Sequence, residues 1–202
     1  MLIVFEGIDG AGKGAQIEKL LSFLKQNKVK CKLHKYPTKK AEKAHEHLAG
    51  EKDLDAIALA NAFVEDIMSE QAKIAREIAD GYVVVCDRYL QSTLAYQGVG
   101  AGIVSIGRII EEQGAIVPDL VVLLDIDEKL SLQRKSAQKT PDRFEKDVAF
   151  LQRVRTNYLW MARKEFLAYK YAVVDAALPK DEIFSRIITV AEPLLTKRLR
   201  VG

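Results

Sequence analysis

The chain has 202 residues, of which 49% are hydrophobic and 29% are charged, and it carries a formal net charge of +3. This composition excludes wholesale disorder, collagen and a disulfide scaffold, and a chain of this length buries enough apolar surface to fold without a metal or a disulfide. No apolar run approaches the roughly 18 residues that a membrane span needs, and so small a net charge does not demand nucleic acid as a partner.

Short apolar strands alternate with helical patterns along the chain. Strands are predicted at residues 2–5, 29–33, 82–86, 120–124 and 172–174, and helices at 17–24, 54–79, 106–110, 150–158 and 180–195. Near-continuous apolar strands separated by helices indicate a parallel sheet covered on both faces. We therefore expect a three-layer α/β fold with five parallel strands, in one domain over residues 1–202. In such folds, ligands bind beyond the carboxyl ends of the strands.

The cell compartment is predicted from the N-terminus and the cysteines. The first residues lack a basic region and run directly into Glu6, so they do not predict a signal peptide. Cys31 and Cys86 lie in strand-like runs outside any CxxC motif, which favours a reduced, cytoplasmic protein. His34, His45 and His47 are not predicted to form a metal site, and the HEH stretch at 45–47 is expected to be an exposed helix face.

The first strand is followed by a glycine-rich loop and then a helix. Its sequence, GIDGAGKG at residues 7–14, matches the spacing GxxxxGK of a phosphate-binding loop. Glycines let backbone amides surround a phosphate, the following helix N-terminus favours an anion, and the lysine adds a mobile cation. We therefore expect a P-loop NTPase fold. The predicted ATP-binding residues are Gly7, Ile8, Asp9, Gly10, Ala11, Gly12, Lys13 and Gly14.

The loop departs from its usual pattern after the lysine. Gly14 and Ala15 stand where a hydroxyl usually ligates Mg²⁺. Because Mg²⁺ commonly keeps several waters, carboxylates can hold it through water instead. The predicted metal-binding residues are Asp9 and Asp87, with Glu6 as a further carboxylate nearby in the sequence.

Two further motifs follow the third strand, and with the phosphate loop they resemble the thymidylate (dTMP) kinase family. These are DRY at residues 87–89 and STLAYQG at 92–98. The sequences FEGIDGAGK at 5–13, PDL at 118–120, DRFE at 142–145 and FLQRVR at 150–155 continue the resemblance over most of the chain. It implies transfer of the γ-phosphate of ATP to dTMP with Mg²⁺, giving dTDP for dTTP synthesis, and a homodimer formed by helices after strands two and three.

Arg88 has chemistry that suits a nucleotide kinase. It follows a strand, where an arginine can hold a phosphate with two parallel hydrogen bonds that a lysine cannot make. The resemblance implies that Arg88 holds the dTMP phosphate and that Asp9 contacts the deoxyribose 3′-hydroxyl. Asp87 is expected to organise Arg88 and the Mg²⁺ shell rather than to act as a base. The acceptor is itself a phosphate oxygen, so general base catalysis is not needed.

The resemblance also implies residues that contact the acceptor nucleoside. Tyr96 would exclude a ribose 2′-hydroxyl, Thr93 would hydrogen-bond the thymine edge with Gln97 nearby, and Phe63 would stack on the base. Pro37 would fix the turn beneath this site. The family usually has an arginine four residues after that aromatic residue, and this chain has Ile67.

Residues 134–143 are expected to form a short lid over ATP. They hold four basic residues and one acidic residue, a composition that is equally typical of a solvated loop. Since the phosphate loop has no arginine, the cation beside the transferring phosphate is predicted to be Arg143 first and Arg134 second. Two alternatives stay open: a kinase for another monophosphate such as dUMP or AMP, and a nucleotide-binding protein with weakened catalysis.

Overall fold

A computed structural model describes residues 1–136 and 147–199. Five strands are present in this part of the chain: β1 Leu2–Glu6, β2 Cys31–Lys35, β3 Val83–Asp87, β4 Leu120–Asp125 and β5 Tyr171–Asp175. The helices are α1 Lys13–Gln26, α2 Glu42–Ala49, α3 Ala56–Ser69, α4 Gln71–Ala79, α5 Leu90–Ala101, α6 Ile103–Glu111, α7 Glu128–Ser136, α8 Val148–Lys164 and α9 Lys180–Leu199.

The strands form one parallel sheet in the order β2-β3-β1-β4-β5. The predicted five-stranded parallel sheet is thus confirmed. Strand β1 is central, and its register pairs Phe5 with Asp87 on β3 and Glu6 with Leu123 on β4. Strands β2 and β3 therefore lie on one side of β1, and β4 and β5 lie on the other. Because the loops after β1 and its neighbours diverge at this point, a crevice opens beyond the carboxyl end of β1.

Helices cover both faces of the sheet, as predicted. Helix α1 contacts β1, β2 and β3 and packs against α9, whereas α4 contacts β3, and α8 contacts β4 and β5 and packs against α5. The connection from β1 to β2 crosses the sheet in one direction, whereas the connections from β2 to β3, from β3 to β4 and from β4 to β5 cross it in the other. Because crossovers between parallel strands are right-handed, the first connection lies on the opposite face from the other three.

The core is built from the strands and the inward faces of these helices. All five residues of β1 are fully buried, which explains why its sequence is a continuous apolar run closed by Glu6. A smaller cluster of Ala41, Ala44, Leu59 and Ala62 joins α2 to α3, and Phe63 packs against it. This cluster holds α2 against α3.

Two sequence expectations about helices need correction, and helix α5 was not predicted. The single helix expected over 54–79 is two helices, because the chain turns at Glu70 between α3 and α4. Helix α5 gave no periodic signal, since it is buried around most of its circumference. The HEH stretch is not wholly exposed: His45 is exposed, but His47 is buried and its Nδ1 accepts a hydrogen bond from the Leu54 amide. In the described residues, no helix has the length and apolar character needed to cross a membrane.

Candidate active site

A cleft of about 920 Å³ opens at the carboxyl ends of the strands. The phosphate loop forms its floor. The residues after β2 and β3, together with α3 and α5, line one side, and α7 with the turn from β5 into α9 lines the other. The cleft therefore lies where the strand order changes direction, as expected for an α/β sheet.

The phosphate loop needs glycine at two positions for different contacts. Gly7 has a φ of +135°, and a Cβ placed there would lie 2.5 Å from the carbonyl oxygen of Leu124 on β4. Gly10 has a φ of +78°, and its Cβ would lie 2.5 Å from the carbonyl oxygen of Ser131 on α7. The loop thus packs directly against the backbone of both neighbours.

Lys13 begins α1 and points its ammonium group back into the loop. Its Nζ donates to the carbonyl oxygens of Gly7 at 2.8 Å and Ile8 at 3.2 Å, and lies 3.7 Å from Oδ1 of Asp9. Burial, together with the positive charge of Arg88, lowers the pKa of Lys13 to about 8. Near neutral pH the group is still charged and is poorly solvated, so it can bind an incoming phosphate strongly.

Arg88 lies directly after β3 with a φ of +70°, in the left-handed region. Its guanidinium forms an ion pair with Asp9, donates to the Ser92 hydroxyl at 3.0 Å, and lies over the Tyr96 ring at 5.5 Å from the ring centroid. Burial lowers the pKa of Arg88, but Asp9 and the other acidic groups around it together raise that pKa well above its usual value, so the guanidinium stays charged. Asp9 therefore contacts both cations of the cleft floor.

Glu6 supports this arrangement from below and is fully buried. Its carboxylate accepts from the Tyr89 amide at 2.8 Å, the Ser92 amide at 3.1 Å and the Ser92 hydroxyl at 2.6 Å. The hydroxyl of Tyr158 donates to the same carboxylate at 2.9 Å, which joins α8 to β1. Burial raises the pKa of Glu6, while the charge of Arg88 opposes that rise.

The side of the cleft formed after β2 is fixed by a buried carboxylate. Asp66 on α3 accepts from the Thr38 amide at 2.7 Å and from the Thr38 hydroxyl. This contact places Pro37, which follows a cis peptide bond, against the helix that carries Phe63 and Ile67. The predicted turn and the predicted aromatic wall are therefore held together by one side chain.

Helix α7 contacts the opposite side of the phosphate loop. The Ser131 hydroxyl donates to the carbonyl oxygen of Asp9, and one turn later Nη1 of Arg134 donates to the carbonyl oxygen of Ala176 at 2.8 Å. Residues 134–136 thus complete a helix rather than begin a loop. The rest of the predicted lid, including Arg143, lies outside the described residues.

Most of the predicted site residues lie in the cleft lining. From the phosphate loop these are Asp9, Gly10, Ala11, Gly12, Lys13 and Gly14, and from the remaining segments Pro37, Phe63, Asp87, Arg88, Thr93, Tyr96, Gln97 and Arg134. Gly7 and Ile8 are not in that lining: their carbonyl oxygens hold Lys13 instead.

Sequence reasoning missed residues that act by supporting others. The Tyr158 hydroxyl contacts Glu6 and lies 3.5 Å from Arg88, and the sequence did not indicate either contact. Ser131 gave no signal, because a lone serine in a helix matches no motif. Glu6 did carry a signal, since a carboxylate that ends an otherwise apolar buried strand requires partners.

Comparison with known proteins gives a consistent result. The family model described as Thymidylate kinase matches residues 5–187. A thymidylate kinase of Dehalococcoides mccartyi is 37% identical over 198 residues, covering 93% of each chain. One of Pseudomonas putida is 34% identical and covers 99% of this chain and all of its own. One of Deinococcus radiodurans is 34% identical over 93% of this chain and 94% of its own. A family model and relatives that extend over nearly the whole chain lead to one conclusion: the chain belongs to the thymidylate kinase family.

Proposed function

We propose that this protein is an ATP-dependent dTMP kinase, which transfers the γ-phosphate of ATP to dTMP and releases ADP and dTDP. The observation that carries the proposal is the floor of the cleft, where Lys13 and Arg88 both contact the carboxylate of Asp9. Two cations at that point can hold two polyanions against their mutual repulsion, which is the main requirement of phosphoryl transfer between nucleotides.

The donor side is assigned to the phosphate loop and Lys13. Loop amides and the Lys13 ammonium hold the β- and γ-phosphates of ATP. An oxygen of the acceptor phosphate attacks the γ-phosphorus, the bond from that phosphorus to the β–γ bridging oxygen breaks, and the electron pair leaves with ADP. Because the attacking oxygen is already anionic near neutral pH, no side chain is assigned as a base.

The acceptor side is assigned to residues that follow β2 and β3, together with Asp9 of the phosphate loop. Arg88 holds the dTMP phosphate, and Asp9, besides orienting Arg88, contacts the 3′-hydroxyl of the sugar. Tyr96, held between Arg88 and the rings of Phe150 and Tyr158, occupies the place where a 2′-hydroxyl would lie.

The base lies beyond the sugar in this assignment. Phe63 stacks on it, and Thr93 and Gln97 hydrogen-bond its edge from the same face of α5. Pro37, held beside α3 through Asp66, closes the turn beneath it.

The lid is assigned to residues from 134 to 143, within one kinase domain over 1–202. Arg134 supports this assignment because it lies in the cleft lining and is anchored to the turn after β5. Arg143 and Arg134 neutralise the transferring phosphoryl group when the lid closes, and exclusion of water there prevents loss of phosphate by hydrolysis.

The carboxylates of the cleft are suited to Mg²⁺ held through water. Asp9 and Asp87 both line the cleft, and both carry charge close enough to Lys13 to raise its pKa against burial. Mg²⁺ typically takes one or two carboxylates, waters and substrate phosphates rather than a full set of protein ligands. When bound, the ion would neutralise charge on the phosphates.

A homodimer in the cytoplasm completes the proposal. Ile57 on α3 and Val104 on α6 expose 47% and 66% of their surface, and these two helices contact one another. Exposed apolar side chains on two helices that contact one another support a face for a second copy. Cys31 and Cys86 are both free thiols, which fits a reducing compartment.

A coupled assay of ADP release tests the activity. With ATP and Mg²⁺, the protein is expected to turn over dTMP, and Arg88→Lys should raise KM for dTMP more than KM for ATP, since lysine lacks the two-pronged contact. Turnover with AMP or GMP but not with dTMP would contradict the acceptor. ATP binding without turnover of any monophosphate would favour a nucleotide-binding protein with weakened catalysis, the outcome that Gly14 and Ala15 make worth testing.

A further inference from the structure

The wall of the cleft formed by α3 and α5 has no charged side chain. Every charged residue of the described lining lies on the phosphate loop, at the end of β2 or β3, on α7 or at the start of α9. Helix α3 contributes Phe63 and Ile67, and Ile67 is only 2% exposed. Arg88 lies over Tyr96 on this wall but is assigned to the acceptor phosphate, so neither α3 nor α5 itself presents a cation to a nucleobase.

Two neutral polar side chains on this wall, Thr93 and Gln97, are available to hydrogen-bond a ligand. Thr93 and Gln97 are four residues apart on α5 and so share one face of the helix. Their exposed fractions are 3% and 7%, and neither side chain makes a hydrogen bond within residues 1–136 and 147–199. Both side chains line the cleft, so a ligand held there can supply the hydrogen-bond partners that the described residues do not.

Both groups can act as donor or acceptor. A threonine hydroxyl rotates to suit its partner, and a glutamine amide offers an oxygen or an NH₂ depending on which way it is turned. Thymine and uracil present a carbonyl at position 4 and an N–H at position 3. Cytosine presents an amino group and an unprotonated nitrogen at the same positions. A hydroxyl and an amide satisfy either edge, whereas a cation would favour the carbonyl alone.

We propose that the acceptor pocket selects deoxypyrimidine monophosphates by shape and neutral hydrogen bonds, and phosphorylates dCMP as well as dTMP and dUMP. This inference rests on the proposed kinase function and names its substrate class. The apolar side chain of Ile67 packs on the base without distinguishing its 4-substituent, and Gln97 turns its amide to match it.

The first test is the ratio of kcat/KM for dTMP to that for dCMP in the unmodified protein. We expect a ratio below about thirtyfold, which corresponds to about 2 kcal/mol. A larger preference for dTMP overturns the inference and leaves the kinase function intact. Failure of all three deoxypyrimidine monophosphates, while ATP still binds, contradicts the proposed dTMP kinase function, so the two failures are distinguishable.

Two substitutions then test the cause. Ile67→Arg should raise the dTMP to dCMP ratio at least about tenfold, because a charged donor on the base adds selectivity for a carbonyl. Ile67→Met, similar in size and uncharged, should leave the ratio within about twofold. Because a buried arginine can prevent folding, Gln97→Leu provides an independent measurement. It should lower kcat/KM for both acceptors by similar factors, and a loss confined to dTMP would overturn the inference.

Discussion

At the scale of single residues, the site is organised around strained and buried groups. Arg88 adopts a φ of +70°, a conformation that costs a non-glycine residue roughly 1–2 kcal/mol. Its backbone amide is held by the Phe5 carbonyl oxygen at 3.0 Å, and its side chain by Asp9 and Ser92. The surrounding contacts thus keep the guanidinium at the centre of the cleft, where strain serves positioning.

The pKa of Lys13 predicts how ATP binding depends on pH. Since the pKa lies at about 8 in the free protein, affinity for ATP should weaken as pH rises above 8, and binding between pH 8 and 9 should take up protons. Calorimetry at pH 8.5 in two buffers of different ionisation enthalpy measures this uptake. Lys13→Arg, which stays charged, is the control, and equal uptake by this variant would contradict the assignment.

The same pKa sets the sign of a stability effect. The folded state holds the Lys13 proton less tightly than the unfolded chain, whose pKa is near 10.5. The charged lysine therefore destabilises the fold below pH 8, and this cost falls as pH rises from 8 towards 10.5. Binding and stability should thus change in opposite directions over that range.

Gly10→Ala should damage the phosphate loop more than a comparable change elsewhere. The new methyl group would lie 2.5 Å from a backbone oxygen of Ser131, in addition to the strain of a positive φ. Gly114→Ala is the matched control, because Gly114 has a φ of +64° with open space around it. Chemical denaturation should show a loss of about 1–2 kcal/mol for the control and a larger loss for Gly10→Ala. Equal losses would show that the contact with Ser131 is unimportant.

At the scale of elements, two helices fix the opposite sides of the cleft. Helix α3 holds the turn after β2 through Asp66, and α7 holds the phosphate loop through Ser131. Sequence patterns did not indicate either contact, because each depends on where a helix packs rather than on its period. The strands were predictable because buried parallel strands are short continuous apolar runs, whereas α5 was not, since a helix buried almost all round has no polar face.

Asp66→Ala should affect the acceptor and spare the donor. The change leaves the Thr38 amide without its partner and loosens the turn that carries Pro37. Because this turn lies on the acceptor side, KM for dTMP should rise about tenfold, as expected for loss of a hydrogen bond to a charged group, while KM for ATP should stay within about twofold. Steady-state kinetics with the exposed neighbour Glu65→Ala as control measures both, and a parallel rise in both constants would argue against the assignment.

Ser131→Ala should affect the donor instead. It removes the hydroxyl that donates to the Asp9 carbonyl oxygen, one turn before Arg134 in the helix that leads to the lid. We expect a severalfold loss in kcat/KM for ATP, in keeping with one neutral hydrogen bond, and little change in the melting temperature. The exposed Ser105→Ala should change neither. Wild-type kinetics in the Ser131 variant would show that α7 does not position the loop.

At the scale of the whole molecule, the predicted sheet and the predicted strand–loop–helix agree with the structure. The residues that hold the site residues in place were harder to predict from the sequence. The motifs at 7–14 and 87–89 can be recognised from sequence, because a few consecutive residues specify their backbone conformation and charge. Glu6, Ser131 and Tyr158 act across 83 to 152 positions of the chain, and only the packed fold brings them to their partners.

The proposed dimer makes a prediction at this scale. Light scattering after size exclusion should give twice the mass of the 22.6 kDa chain. Ile57→Asp should produce monomers, because a charge replaces an apolar group on the proposed face. Val173→Asp is a matched control, since Val173 is 49% exposed on β5. Strand β5 forms the opposite edge of the sheet from β2, the strand that leads to α2 and α3. Dissociation by the control but not by Ile57→Asp would move the interface to the edge of the sheet.

The central place of β1 in the sheet has a consequence for how such an enzyme can change over evolutionary time. Apart from Asp9, which follows β1 and serves both sides, the residues assigned to the acceptor follow β2 and β3, and those assigned to the donor follow β1 and β4. Mutations confined to residues 35–97 can therefore alter which monophosphate is accepted while recognition of ATP is inherited unchanged. A gene duplicate could acquire a new acceptor by small steps in one half of its sequence, each step retaining a working phosphate donor.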